Sequence, residues 1–270
     1  MPKRRITIPK ITTMSNKIDL TVIIPVVELD ESGIALFRKA VDSVNGYCDI
    51  LVVGSEEALG KIPDSAHYSK MVNDGDTCYS AQVNMAVRNI DTEWFTVLEY
   101  DDEFSDVWFN NVESYIASDV DDTFEYMPLT EVVDYRNGQT VAYANEAFWA
   151  SSFSDEIGCV DIESLNNYLT FNPSGAVIRT DTFQSLGALK PSMKVSFWYE
   201  FLLRALYKNK RIYVIPKIGY FHKVNRPWSM TDDIMKNMDE KEVDWWIELA
   251  KKEYFFPNDR GKTYETEMAE

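Results

Sequence analysis

FTVLEYDDEFSD (95–106) runs from an apolar stretch ending at Leu98 into five carboxylates: Glu99, Asp101, Asp102, Glu103 and Asp106. Like charges about 4 Å apart repel by ~1 kcal/mol in bulk water and ~4 kcal/mol near a protein surface. A folded chain relieves that either by solvating the turn or by placing a cation in it. The rest of the sequence bears on which.

Working outward, WFTVLEY (94–100) reads as a strand that delivers the acidic turn. Upstream, IDLTVIIPV (18–26) and CDILVVG (48–54) are short continuous apolar runs rich in β-branched residues, the pattern of strands buried on both faces. Between them SGIALFRKAVDSV (32–44) places Ile34, Phe37, Val41 and Val44 at helical spacing, with Ser32 as N-cap, and TCYSAQVNMAVRN (77–89) reads as another helix. Strand and helix in alternation predict an α/β sheet with right-handed crossovers. In such sheets ligands gather beyond the carboxyl ends of the strands, where Glu99 and Asp101 fall.

The second half reads differently. VVDYRNGQTVAY (132–143) carries Asn137-Gly138 between alternating runs and predicts a small hairpin insertion. FWYEFLLRALYKN (197–209) is expected to be a helix, and RIYVIP (211–216) a strand. EKEVDWWIELAKKEYFF (240–256) aligns Val243, Trp246, Ile247, Ala250 and Tyr254 on one face, as a helical cap would. No repeat or linker divides the chain, so the expected organisation is an arm over 1–17, one domain over 18–230 and a helical extension over 231–270.

The bulk numbers narrow the function. In 270 residues, 27 Lys+Arg oppose 44 Asp+Glu, a formal net charge of -17. That balance disfavours nucleic acid and anionic membrane as partners, which both need a basic face. The exception is MPKRRITIPKITTMSNK (1–17), with five basic residues and no acid. It reads as a solvated arm or as a contact with a protein partner or a second copy. No apolar run reaches the ~18 residues of a membrane span. Cys48, Cys78 and Cys159 show no metal-ligand or disulfide spacing, which fits a reduced, cytoplasmic setting.

Taken in order, these pieces resemble the family-2 glycosyltransferases of the GT-A fold, a Rossmann-like nucleotide-diphospho-sugar transferase fold with a mostly parallel central sheet. The matching segments are VIIPVVE (22–28), AVDSV (40–44), VVGS (52–55), NDG (73–75), AQVNMAV (81–87), LEYDD (98–102), NPSGAVIRTDTFQSLG (172–187), FLLR (201–204) and GYFHKVN (219–225). Each alone is weak; their shared order spans most of the chain. The resemblance implies a nucleotide-sugar donor, UDP-sugar by default, an acceptor hydroxyl, inversion at the anomeric carbon and Mn²⁺ or Mg²⁺ as cofactor. It places Glu99, Asp101, Asp102 and His222 on that cation, whose hard oxygen ligands suit it. It assigns the donor to Pro25, Val27, Glu28, Ser55 and Asn73, with Lys223, Arg226 and Trp228 over the diphosphate.

Two departures qualify this. Members of the family carry Asp before Gly-Ser to bind the base, where this chain has Val52 and Val53. Inverting members carry Glu-Asp six to seven residues before the Arg of the LLR helix, and the Asp deprotonates the acceptor. Counting back from Arg204 gives Phe197 and Trp198, and neither accepts a proton. Glu200 is the nearest carboxylate, though two positions turn a helical side chain by ~200°; Asp181 and the DDEF turn are the other candidates. The rival expectation is therefore a degenerate GT-A domain that binds without turnover. A sugar-nucleotide pyrophosphorylase is set aside, because PVVELDESG lacks the Gly-rich, Arg-containing loop of those enzymes.

Overall fold

The computed structural model describes residues 18–73, 75–119, 121–226 and 237–254. The basic arm, Trp228 and the expected boundary at 230 lie outside the described residues.

β1 (Leu20–Val26) is buried along its whole length because it pairs in parallel with β2 (Asp49–Gly54) on one side and β4 (Trp94–Val97) on the other. Covered on both faces and both edges, it can be apolar throughout. α1 (Glu31–Ser43) follows, and its N-cap is Asp30 rather than Ser32. The Asp30 carboxylate accepts from Gly33 N at 2.7 Å, while Ser32 donates its hydroxyl to the same carboxylate. α2 (Glu56–Gly60) is capped by Ser55, β3 (Ser69–Val72) extends the parallel group, and α3 (Tyr79–Val87) covers it. β5 (Glu103–Phe104) closes the acidic turn and leads to α4 (Trp108–Ser118).

The rest of the sheet comes from the second half of the chain. β6 (Glu125–Asp134) and β7 (Thr140–Ala144) form the hairpin around Asn137-Gly138. β8 (Cys159–Val160), α5 (Ile162–Asn167), β9 (Val177–Arg179) and α6 (Thr180–Ser185) follow. The strand order is β3-β2-β1-β4-β9-β6-β10-β5, with β7 beside β6 and β8 beside β10. β1, β2, β3, β4, β6 and β10 share one direction, and the short β5, β7, β8 and β9 oppose it. The sheet is mixed α/β and mostly parallel.

α7 (Phe197–Tyr207) is helical where the apolar spacing predicts it, and α8 (Glu240–Tyr254) packs on the same core through buried Ala250 and half-buried Trp246 and Ile247. β10 (Ile212–Val224) is far longer than the strand expected at 211–216. Register shifts between Ile215 and Ile218, and between Ile218 and Tyr220, carry it past Pro216 and Gly219 and on alongside the whole of β6. Gly219 is required there: a Cβ would stand 2.3 Å from the Trp108 ring. The extension matters because Tyr220 and Phe221 pair with β5 and bring His222 and Lys223 onto the acidic turn.

Candidate functional site

The acidic turn is held from β10. Glu99 N donates to the Tyr220 hydroxyl at 3.1 Å. The Asp102 carboxylate, 1% exposed, lies 2.9 Å from His222 Nδ1 and accepts from Lys223 N at 2.8 Å. Lys223 Nζ ion-pairs with Glu103. Arg226 Nε lies 2.5 Å from Asp101 Oδ2, an ion pair. The Arg226 guanidinium also sits 5.1 Å from the Tyr100 ring centroid.

These neighbours set the charge states. Burial pulls His222 down, but Asp102, with Asp101 and Glu99 behind it, outweighs that and lifts the imidazole to about 9. Burial raises Glu99 to about 8, Asp102 and Asp101 add to the rise, and the hydroxyl of Tyr79, donating to Oε1 at 2.6 Å, offsets part of it. Glu99 keeps some exposed surface while lying deep among neighbouring atoms. Burial and Asp102 likewise raise Asp101, against the pull of Arg226.

The four residues expected to hold a divalent cation are thus brought together but are turned to other partners. Asp101 faces Arg226, Asp102 faces His222 and Lys223, and Glu99 faces Tyr79. Among the described residues no three His, Cys, Asp or Glu side chains form a group that fits a metal ion. The expected ligand set of Glu99, Asp101, Asp102 and His222 is therefore drawn together without being turned on a common point. In this arrangement Arg226 and His222 are the partners of Asp101 and Asp102, two of the carboxylates that would bind Mn²⁺ or Mg²⁺.

Beside the turn opens a cleft of about 550 Å³ between the loop after β1 and the start of α2. Val27, Glu28 and Ser55 line it as expected, together with Asp30, Lys61 and Tyr100, which the motif comparison did not pick out. Gln82 braces the end of β1 by accepting from Val26 N at 3.1 Å and donating back to Val26 O. Pro25 and Asn73 do not line the cleft. Pro25 is buried within β1 opposite Val53, and Asn73 braces its own loop through Asp76 O and Gly75 N. Asn84 is structural too, exchanging two hydrogen bonds with the backbone of Leu189.

Glu200 is the clearest correction. It is 1% exposed, accepts from Arg204 Nε at 3.0 Å and Nη2 at 2.8 Å, and lies 2.9 Å from Lys190 Nζ. The carboxylate is thus paired with two cations inside the protein and does not line the cleft. Phe197 and Trp198 occupy the first turn of α7, where the resemblance expects the base.

No family model matches the sequence, and no curated protein matches it. Solved structures do match in fold. A structure of Staphylococcus aureus TarS residues 1–349 with UDP-GlcNAc aligns over 92% of this chain and 78% of its own, at 14% identity and a TM-score of 0.60. A longer TarS structure aligns over 92% of this chain and 46% of its own, at 15% identity and a TM-score of 0.54. A mannosyltransferase from Pyrobaculum calidifontis with GDP-Man and Mn²⁺ aligns over 81% of this chain and 60% of its own, at 13% identity and a TM-score of 0.56. The chain has the GT-A glycosyltransferase fold. Among the described residues no helix is long and apolar enough to cross a membrane.

Proposed function

We propose that this protein is a glycosyltransferase that moves a sugar from a nucleoside diphosphate donor to an acceptor hydroxyl, with inversion and with UDP-sugar as the default donor. One observation carries the reading. Tyr100 lines the cleft and also receives Arg226 over its ring, so a pocket of nucleoside size adjoins Arg226, and the same acidic turn carries the partners of Lys223 and His222. The nucleoside lies against Val27, Glu28 and Ser55, and the diphosphate reaches the cations. Arg226 and Lys223 then exchange a carboxylate for phosphate oxygens, which a guanidinium fork and an ammonium both accept. Charge developing on the leaving diphosphate is met by these side chains. The fold neighbours support this, since one was solved with UDP-GlcNAc and another with GDP-Man.

A second reading, a GT-A domain that binds without turnover, is favoured by Phe197 and Trp198 at the place of the usual acid. The compartment is assigned as cytoplasmic on the free, unpatterned cysteines. Isothermal calorimetry of UDP, GDP, UDP-GlcNAc and GDP-Man, with and without Mn²⁺, tests donor binding on wild type and Arg226→Ala. Binding of one nucleotide that weakens in the variant supports the site. Absence of binding under every condition refutes it. Release of nucleoside diphosphate from a bound donor separates the transferase from the silent binder.

A further inference from the structure

The strand end that reads the base in the family this chain resembles cannot do so here. Val52 and Val53 are fully buried, and neither lines the cleft. Base recognition therefore falls to the cleft wall itself. Two of its polar residues already serve the backbone: Asp30 accepts from Gly33 N and Ser55 from Ala58 N, each capping a helix. Of the other charged groups, Glu57 and Lys61 form a pair on α2. They line the cleft four residues apart, with Lys61 Nζ 3.4 Å from Glu57 Oε1 and both side chains exposed. Exposed pairs of this spacing add little to stability, so both groups can turn to a ligand at small cost.

Their position suits a base rather than a phosphate. In the sheet order β2 and β4 flank β1. α2, which follows β2, and the acidic turn, which follows β4, therefore stand on either side of the end of β1. Strands ~4.8 Å apart put these two walls roughly 10 Å from each other, a span that a nucleoside bridges lengthwise. Tyr100 meets Arg226 at the wall of the turn. The diphosphate belongs there, which leaves the base to Glu57 and Lys61.

We propose that the cleft selects a guanine nucleotide and that Glu57 and Lys61 determine this specificity; the proposal rests on the donor-binding reading above and replaces its default base. Guanine presents two neighbouring donors, N1–H and the 2-amino group, and then the O6 acceptor. A carboxylate only accepts and an ammonium only donates. Glu57 takes both donors, one on each oxygen, and Lys61 Nζ meets O6. Uracil alternates instead, with N3–H between O2 and O4. One Glu57 oxygen suits its N3–H and Lys61 suits one carbonyl, but the second carboxylate oxygen then faces the other carbonyl, acceptor against acceptor. Adenine sets an amino group beside a bare ring nitrogen and meets the same conflict. Charge-assisted hydrogen bonds are roughly twice as strong as neutral ones, so the match discriminates.

Isothermal calorimetry of the full chain with GDP, IDP, UDP and ADP, each with and without Mn²⁺, tests this. IDP differs from GDP only in lacking the 2-amino group. Wild type is expected to bind GDP about tenfold more tightly than IDP, UDP or ADP, the size of one charge-assisted hydrogen bond. Glu57→Gln presents one acceptor and one donor, which uracil matches and guanine does not. It is expected to weaken GDP about tenfold and to tighten UDP. Lys61→Met is expected to weaken GDP and IDP alike, since both keep O6. Opposite movement of GDP and UDP in Glu57→Gln is a change that damage to α2 does not produce. Three results overturn the guanine assignment and leave the donor site standing: UDP or ADP bound by wild type as tightly as GDP, GDP and UDP weakened together in Glu57→Gln, or a Glu57→Gln variant with wild-type affinities. Failure of every nucleotide to bind wild type overturns the donor reading and this proposal with it.

Discussion

His222 Nδ1 lies 2.9 Å from one oxygen of Asp102, and the next residue, Lys223, donates its backbone N–H to the other at 2.8 Å. One buried carboxylate thus anchors the end of β10 to the acidic turn, 120 residues earlier in the chain. Removing it leaves the imidazole and the amide without their partner. Asp102→Ala is expected to cost about 3 kcal/mol, read as a lower urea midpoint with an unchanged slope.

Arg226 competes with any cation for Asp101 at 2.5 Å. Arg226→Met keeps much of the side-chain volume and deletes the charge. Mn²⁺ titrated into the nucleotide-free protein is expected to bind weakly to wild type and about tenfold more tightly to Arg226→Met, a gain of ~1.4 kcal/mol. Equal affinities by calorimetry would show that Asp101 is not the contested ligand.

Glu200 holds structure, not substrate. Its pairing with Arg204 orients the guanidinium toward Leu186 O and Ala188 O, tying α7 to the loop after α6. Glu200→Gln is expected to lower unfolding free energy by about 3 kcal/mol and to leave donor affinity unchanged. A variant of normal stability with a lost hydrolysis rate would return Glu200 to the active site.

Glu125 has no such role, and its carboxylate has no hydrogen-bond partner among the described residues. Neither carboxylate oxygen is hydrogen-bonded, and the sheet flanks the residue with Ile178 on β9 and Ile212 on β10. Burial alone lifts its carboxyl from 4.5 to about 8. Between those values the folded chain holds a proton that the unfolded chain has released. This group's contribution to stability therefore falls as pH rises through the window, by up to ~1.4 kcal/mol per pH unit. Glu125→Leu is expected to flatten that slope and to stabilise the protein by about 2–3 kcal/mol at pH 7, measured by urea unfolding from pH 5 to pH 8.

The parallel half of the sheet was legible because β1, β2 and β4 are buried on both faces and so read as unbroken apolar runs. The acidic turn and the missing acid on α7 were legible for the same kind of reason, being local. What escaped was pairing across distance. Arg226 meets Asp101, and Tyr79 meets Glu99, only once sheet order is known, and no spacing rule links them. The length of β10 was hidden by Pro216 and Gly219, which break the strand pattern in sequence but are absorbed as register shifts against β6. The true cap of α1 was missed because Asp30 and Ser32 both suit the role, and only geometry shows the carboxylate bonded to Gly33 N.

The parallel pairing of β6 with β10 also sets an order of assembly. During synthesis residues 18 to 104 emerge well before Tyr220, His222, Lys223 and Arg226, so the carboxylates of the turn first exist without their counter-charges. Their mutual repulsion keeps the turn open and solvated until β10 docks. Contacts between partners so far apart in sequence close slowly and late. The donor site is accordingly among the last parts of the molecule to form, and a chain stalled before residue 226 carries an unfinished sheet edge beside a knot of bare negative charge.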